Sequence, residues 1–191
     1  MDAETWDERY AASDLVWSAE PNTFVVSLTG DLPVGTAIDL GAGEGRNALW
    51  LAEQGWQVTA VDFSSVAVER GRARPGGDLV DWQVADVTTY EPADRFDLVL
   101  VCYLHLPRHV MRRVLQHAAS WVGPGGHLVV VAHAARNLVE GVGGPQDRDR
   151  LPDEELLAEA AADLVVERLE EVDRDTPDGT AIDIVLRARR G

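Results

Sequence analysis

Lysine is missing from all 191 residues, so each of the 17 basic side chains is an arginine. That absence removes the enzyme classes built on a lysine: the phosphate-binding P-loop, the Schiff base and the pyridoxal-phosphate anchor. Cysteine is nearly missing too. The lone Cys102 cannot form an internal disulfide, and the five histidines do not have the spacing of zinc ligands, so no structural metal is expected. No apolar run approaches the length of a membrane span. The acidic start Met1-Asp2-Ala3-Glu4-Thr5-Trp6-Asp7 has neither the basic nor the apolar part of a signal peptide, which makes the cytoplasm the expected location. Positive charge is also scarce. Against 33 acidic residues it leaves a net charge of −16, whereas a nucleic-acid surface needs cations to displace the counterions of phosphates. No nucleic-acid partner is expected, although a local arginine cluster could still exist and the charge argues against a polyanionic substrate without excluding it.

What is present is the composition of a globular protein, 46% apolar and 26% charged, at a length that suits one α/β domain spanning 1–191. From Thr36 onward, strand-length apolar runs alternate with helix-like stretches, which is the pattern of parallel βαβ units. The expected strands are Thr36–Leu40, Gln57–Val61, Leu79–Val84, Phe96–Val101, Leu128–Ala132 and one around Leu164–Val172. A final strand alternates Ile182, Ile184, Leu186 and Ala188 with Asp183, Val185 and Arg187. Only about seven residues separate the last two strands, so they should form a hairpin with the final strand antiparallel. Helices are expected over Arg46–Gln54, Ser65–Arg74, from Pro107 to the glycines at 123–126, and from about Pro152. The Gly- and charge-rich stretch Asn137–Asp153 is expected to be a mobile loop or lid. Residues 1–35, with Trp6, Tyr10, Trp17 and Phe24, should add one or two short helices covering the mouth of the sheet.

In an open parallel sheet, ligands bind at the carboxyl ends of the strands, beside the point where strand order reverses. The first strand is followed there by Asp39-Leu40-Gly41-Ala42-Gly43-Glu44-Gly45-Arg46-Asn47, a loop whose glycines let the backbone turn and approach a ligand closely. A dinucleotide fingerprint would put its third glycine at position 46, which is Arg46. The pattern instead has Gly-x-Gly-x-Gly with Asp39 two places before it, and it resembles motif I of class I methyltransferases. An acidic residue there suits a cationic amino-acid cofactor better than a pyrophosphate. Asp62, ending the second strand, is placed to bridge ribose hydroxyls.

The resemblance extends over nearly the whole chain. Trp6-Asp7-Glu8-Arg9-Tyr10, Trp17, Pro21-Asn22, the DLGAGEGRN loop and VDFS together resemble the bacterial branch containing the thiopurine and tellurite-resistance methyltransferases. It implies a Rossmann-like α/β sheet of seven strands in the order 3-2-1-4-5-7-6 and S-adenosyl-L-methionine as cofactor. The implied cofactor contacts are Tyr10, Trp17, Asp39, Gly41, Ala42, Gly43, Arg46, Asn47, Asp62, Phe63, Ser64, Asp86, Val87 and Cys102, with Asp86 accepting from the adenine amino group. A nicotinamide-dependent oxidoreductase and a cofactor-binding module without catalysis stay open as alternatives.

The fourth strand ends in Val101-Cys102-Tyr103-Leu104-His105-Leu106, which lacks both the Pro-Pro-aromatic signature of amino-methylating DNA enzymes and the Pro-Cys pair of cytosine C5 enzymes. The expected acceptor is therefore a small molecule. His105 and His133 alone among the histidines fall at strand ends, and His105 is the first choice for a general base. Arg136, Arg148 and Arg150 flank the expected lid and read as solvated charges.

Overall fold

The computed structural model describes residues 3–12, 15–16 and 18–191. One seven-stranded sheet organises it, in the order β3-β2-β1-β4-β5-β7-β6, which is the order the family resemblance implies. The strands are β1 (Thr36–Leu40), β2 (Gln57–Asp62), β3 (Val80–Val84), β4 (Phe96–Cys102), β5 (Val122–His133), β6 (Val165–Thr176) and β7 (Gly179–Arg189). The first five run parallel, while β7 pairs antiparallel with both β5 and β6. In β4 the run Leu98 to Val101 is wholly buried, because helices cover both faces and no position can be spared for a polar side chain.

Alternate residues feed the two faces. On one face, α2 (Thr23–Thr29), α3 (Arg46–Glu53) and α4 (Ser65–Ala73) pack Val25, Leu28, Leu51 and Val68 against Ala37, Ala60, Leu98 and Leu100. On the other, α5 (Arg108–Ser120) and α7 (Glu154–Ala160) pack Met111, Leu115, Leu156 and Leu157 against Ile38, Val99, Val130 and Ile184. The alternation read in the last strand holds, with Ile182, Ile184, Leu186 and Ala188 in one layer and Val185 in the other. Both layers are apolar, so each face stabilises the sheet chiefly by removing hydrocarbon from water.

The N-terminal helix α1 (Ala3–Ala11) and the segment after it are tied down by polar contacts spread along the first 22 residues. Ser64 Oγ donates to Asp7 Oδ1, the Val16 amide donates to Glu44 Oε2 at 3.0 Å, and the Asn22 amide donates to Asn47 Oδ1 at 2.9 Å. Asn22 in turn caps α2 by accepting from the amides of Phe24 and Val25.

Two stretches differ from the sequence reading. Strand β5 begins at Val122 and not at Leu128, running through Gly123-Pro124-Gly125-Gly126, because Gly126 lets the backbone come within contact of Phe96 and Asp97, where a Cβ would clash with their carbonyls. The expected lid, Asn137–Asp153, is a pinned strap containing α6 (Asn137–Glu140). The Asn137 side chain, 2% exposed, accepts from the Ile182 amide at 2.7 Å and donates to the carbonyls of Val142 and Gly143, while Leu151 is buried. Composition suggests a free loop here, but one buried amide side chain fixes it to β7.

Candidate active site

The order reverses between β2-β1 and β1-β4, and at the carboxyl ends of these strands a cavity of about 650 Å³ opens. Its floor is the glycine loop. Gly41, Gly43 and Gly45 all have positive φ (74°, 57° and 76°), a region that other residues enter only with strain. The two later glycines also answer to close neighbours: a Cβ on Gly43 would lie 2.6 Å from the Tyr10 hydroxyl, and one on Gly45 would overlap the Trp82 ring. Gly45 is thus needed for packing against Trp82, and Gly41 and Gly43 for the surface that faces the cavity.

Asp39 lies under this loop, 1% exposed, with Oδ2 sealed from water and without a hydrogen-bond partner. Burial, reinforced by the neighbouring carboxylate of Asp62, pushes its pKa up to about 7, against the opposing pull of the Arg46 guanidinium and the Ala48 amide. Such a group calls for a cation. Asp62 is also raised, mainly by burial, although its oxygens accept from the Gly43 and Ser64 amides at 2.8 and 2.9 Å. One carboxylate therefore shapes the loop and faces the cavity at once.

Of the residues expected to meet a cofactor, Tyr10, Gly41, Ala42, Gly43, Arg46, Asn47, Asp62, Phe63 and Cys102 line the cavity. Asp39 lies just below them. Ser64, Asp86 and Val87 stand off the wall: Ser64 is buried as the cap of α4, Asp86 is exposed and accepts from the Thr88 amide at 2.8 Å, and Val87 belongs to the core. Trp17 lies outside the described residues. Burial raises the Cys102 thiol to about 12, so it is a packing residue and no thiolate nucleophile. Among the described residues, Arg46 makes no ion pair or side-chain hydrogen bond; its guanidinium sits 5.9 Å from the centre of the Tyr103 ring.

The opposite wall is made by Tyr103, Leu104, His105, Leu106, His133 and Arg174. Tyr103 alone among the described non-glycine residues has positive φ, 55°. It donates its hydroxyl to Asp183 Oδ2 at 2.8 Å. Arg174 Nε donates to the same oxygen at 2.6 Å, and His133 Nδ1 lies 3.1 Å from Asp183 Oδ1. His105, first choice for a base, is in the wall, but burial and then the charge of His133 pull it down to about 4, and its buried Nε2 has no partner. Asp183, Arg174 and Tyr103 escaped the sequence reading. The one signal was an aspartate inside the apolar run Ala181-Ile182-Asp183-Ile184-Val185, where an unpaired charge would be costly.

Comparison with known proteins follows the same outline. Residues 37–126 match a methyltransferase domain family. The chain is 31% identical over 108 residues to the ribosomal RNA small subunit methyltransferase C of Alcanivorax borkumensis, an alignment covering 52% of this chain and 32% of that protein. It is 33% identical over 122 residues to the ubiquinone/menaquinone biosynthesis C-methyltransferase UbiE of Desulfotalea psychrophila, covering 61% and 49%. The chain thus spans about half or less of these relatives. Among solved structures, the N-methyltransferase NodS of Bradyrhizobium japonicum, in complex with S-adenosyl-L-homocysteine, superposes with a TM-score of 0.78 at 18% identity, covering 100% of this chain and 99% of that one. Central strands, glycine loop and family match coincide: residues 37–126 match a methyltransferase domain family, and the whole chain has the fold of the class I S-adenosylmethionine-dependent methyltransferases.

Proposed function

We propose that this chain, as one domain over 1–191, transfers a methyl group from S-adenosylmethionine to a small-molecule acceptor. The observation that carries the reading is the buried, unpartnered oxygen of Asp39 under a loop of positive-φ glycines. It fits the ammonium of an amino-acid cofactor and would repel a pyrophosphate. Arg46, without an ion-pair partner among the described residues, is available to the cofactor's carboxylate. Asp62 would accept from the ribose hydroxyls, with Gly41, Ala42 and Gly43 supplying close backbone, and Phe63 would give the adenine an apolar side. Asp86 and Val87, on the loop after β3, and the capping Ser64 would act further out. When bound, the cofactor supplies a methyl group on a sulfonium, ready for in-line displacement.

The chain's own contribution is to position and desolvate. Tyr10 and Trp6 come from α1, held over the glycine loop by Asp7 and Glu44, so the N-terminal segment serves as a cover. The finer kinship, with the thiopurine and tellurite-resistance branch, rests on that segment: Asp7, Tyr10 and Asn22 of its motif are those that engage the loop and α4. One relative acts, by name, on ribosomal RNA, but a net charge of −16 opposes a polyanionic acceptor here. No helix among the described residues is long and apolar enough to cross a membrane, and we place the protein in the cytoplasm.

The test is calorimetric titration of the purified chain with S-adenosylhomocysteine and, separately, with NADH, followed by S-adenosylhomocysteine release from S-adenosylmethionine with a panel of acceptors. Binding of NADH alone would support the oxidoreductase alternative. Binding of S-adenosylhomocysteine without turnover would leave a binding module, and label transfer to bulk RNA would return the acceptor to nucleic acid.

A further inference from the structure

The cavity wall facing the glycine loop contains an arrangement that cofactor binding does not use. His133 ends β5, and the antiparallel register sets Asp183 of β7 directly across from it. Asp183 is 0% exposed, yet it carries three partners. Oδ2 receives both Tyr103 Oη and Arg174 Nε, which leaves Oδ1 to the imidazole. His133 Nδ1 and Asp183 Oδ1 are both sealed from solvent and face each other at 3.1 Å, an ion-pair distance without hydrogen-bond alignment, and neither has a hydrogen-bond partner elsewhere. Asp183 Oδ1 is the acceptor beside Nδ1, and a small turn of the ring would let a proton on Nδ1 reach it and leave Nε2 as the bare nitrogen. His133 also packs against the His105 ring (centroids 5.6 Å apart, planes 18° apart) and against the strap, where a Cβ on Gly144 would meet its ring at 2.7 Å. These contacts fix the plane of the imidazole at the cavity wall.

A purely structural ion pair between Arg174 and Asp183 would not require this. It would leave the second carboxylate oxygen to a backbone amide or to water, whereas Oδ1 here has neither and the imidazole is the polar group beside it. Burial works to raise the Asp183 pKa, but His133, Arg174 and Tyr103 hold it below the ordinary carboxylate value, so the group facing the imidazole is an anion. No carboxylate lies within ion-pair distance of His105 among the described residues, which separates the two histidines.

Resting on the methyl-transfer reading, we propose that His133, oriented by Asp183, is the general base of the acceptor site, and that the acceptor is a neutral hydroxyl of phenol type. An amine attacks through a lone pair it already has, and an ionised thiol has no proton to lose. A hydroxyl of this acidity gains most from a base during attack. In the step, the acceptor O–H proton passes to His133 Nε2 and the oxygen pair forms the O–CH3 bond. The S–CH3 bond breaks with its pair left on sulfur. The imidazolium so formed is stabilised by the Asp183 carboxylate until it gives its proton to water. Tyr103 and Arg174 are positioning residues, acting through Asp183.

The same geometry predicts what Asp183→Asn does. Tyr103 and Arg174 both donate toward Oδ2, so the asparagine carbonyl must take that place and its NH2 must face His133. The imidazole is then driven to carry its proton on Nε2, and the base is disarmed. Long-range proton–nitrogen spectra of the histidine-labelled chain with S-adenosylhomocysteine should show His133 protonated on Nδ1 in the wild type and on Nε2 in Asp183→Asn. Catechol, 4-hydroxybenzoate and 1-naphthol are the protic acceptors to assay, with 4-nitrobenzenethiol as one that is already ionised. His133→Gln should lower turnover of the phenols by about 10²–10⁴-fold, far more than it lowers turnover of the ionised thiol, and keep S-adenosylhomocysteine affinity within about twofold. Protonation of wild-type His133 on Nε2, the same tautomer in both proteins, undiminished phenol turnover in His133→Gln, or no turnover of any phenol would each overturn the proposal. Loss of S-adenosylhomocysteine binding by the wild type would instead overturn the methyl-transfer reading.

Discussion

Replacing Asp39 by asparagine should move folding stability and ligand affinity in opposite directions. The carboxyl is 1% exposed, and its pKa stands at about 7 against an ordinary 3.8. At about 1.4 kcal/mol per pH unit, the difference is on the order of 4 kcal/mol. A raised carboxyl binds more protons folded than unfolded, so its contribution is fully present below the unfolded value and is lost as pH climbs from about 4 to about 7. The wild-type chain should therefore lose stability over that window. Asp39→Asn should lose less, gaining on the wild type by up to about 4 kcal/mol at pH 8 and by little near pH 4. Affinity should go the other way, because a ligand ammonium facing the loop would lose its anion, and breaking a buried pair costs about 3–5 kcal/mol, or roughly 10²–10³-fold. Urea titrations at pH 5 and pH 8, with calorimetry of S-adenosylhomocysteine in two buffers of different ionisation heat, read both effects. Wild-type binding should release a proton below pH 7 that the variant does not release. Equal stability differences at both pH values, or unchanged affinity, would refute the assignment of Asp39 as a strained anion kept for a cation.

Gly43→Val should abolish S-adenosylhomocysteine binding and destabilise by about 1–3 kcal/mol, since the position has φ 57° and the new Cβ would strike the Tyr10 hydroxyl; wild-type heats of binding would make the loop a simple turn. Asp62→Asn should weaken affinity by at least tenfold with a small cost in melting temperature, because the side chain keeps an acceptor for the Gly43 or Ser64 amide but loses its charge; a folded variant with unchanged affinity removes Asp62 from the site. Asp7→Ala removes the acceptor for Ser64 Oγ and the Val66 amide, and should speed limited proteolysis before residue 20, lower turnover and leave the sheet's melting temperature within a few degrees; equal cleavage rates would mean that the segment is held elsewhere.

Much of the cavity floor was legible because it is local in the chain. Asp39 and the three glycines fall within seven residues, and Asp62 ends a strand whose Val58-Thr59-Ala60-Val61 run marks it as buried. Parallel βα units and the final hairpin followed from alternation and from a connection too short to cross over, both properties of consecutive residues, whereas the strand order came from the family resemblance. The short turn after Thr176 also set β7 antiparallel. The opposite wall was decided by tertiary structure alone. Tyr103 and Asp183 are 80 residues apart, and only the β5–β7 register sets Asp183 across from His133. Slipping that register by one residue would send the carboxylate to the other face of the sheet, since side chains alternate. The sequence places both His105 and His133 at strand ends, where they look alike. What separates them is which one meets a buried carboxylate, and that depends on hydrogen-bond alignment between strands that no local pattern encodes.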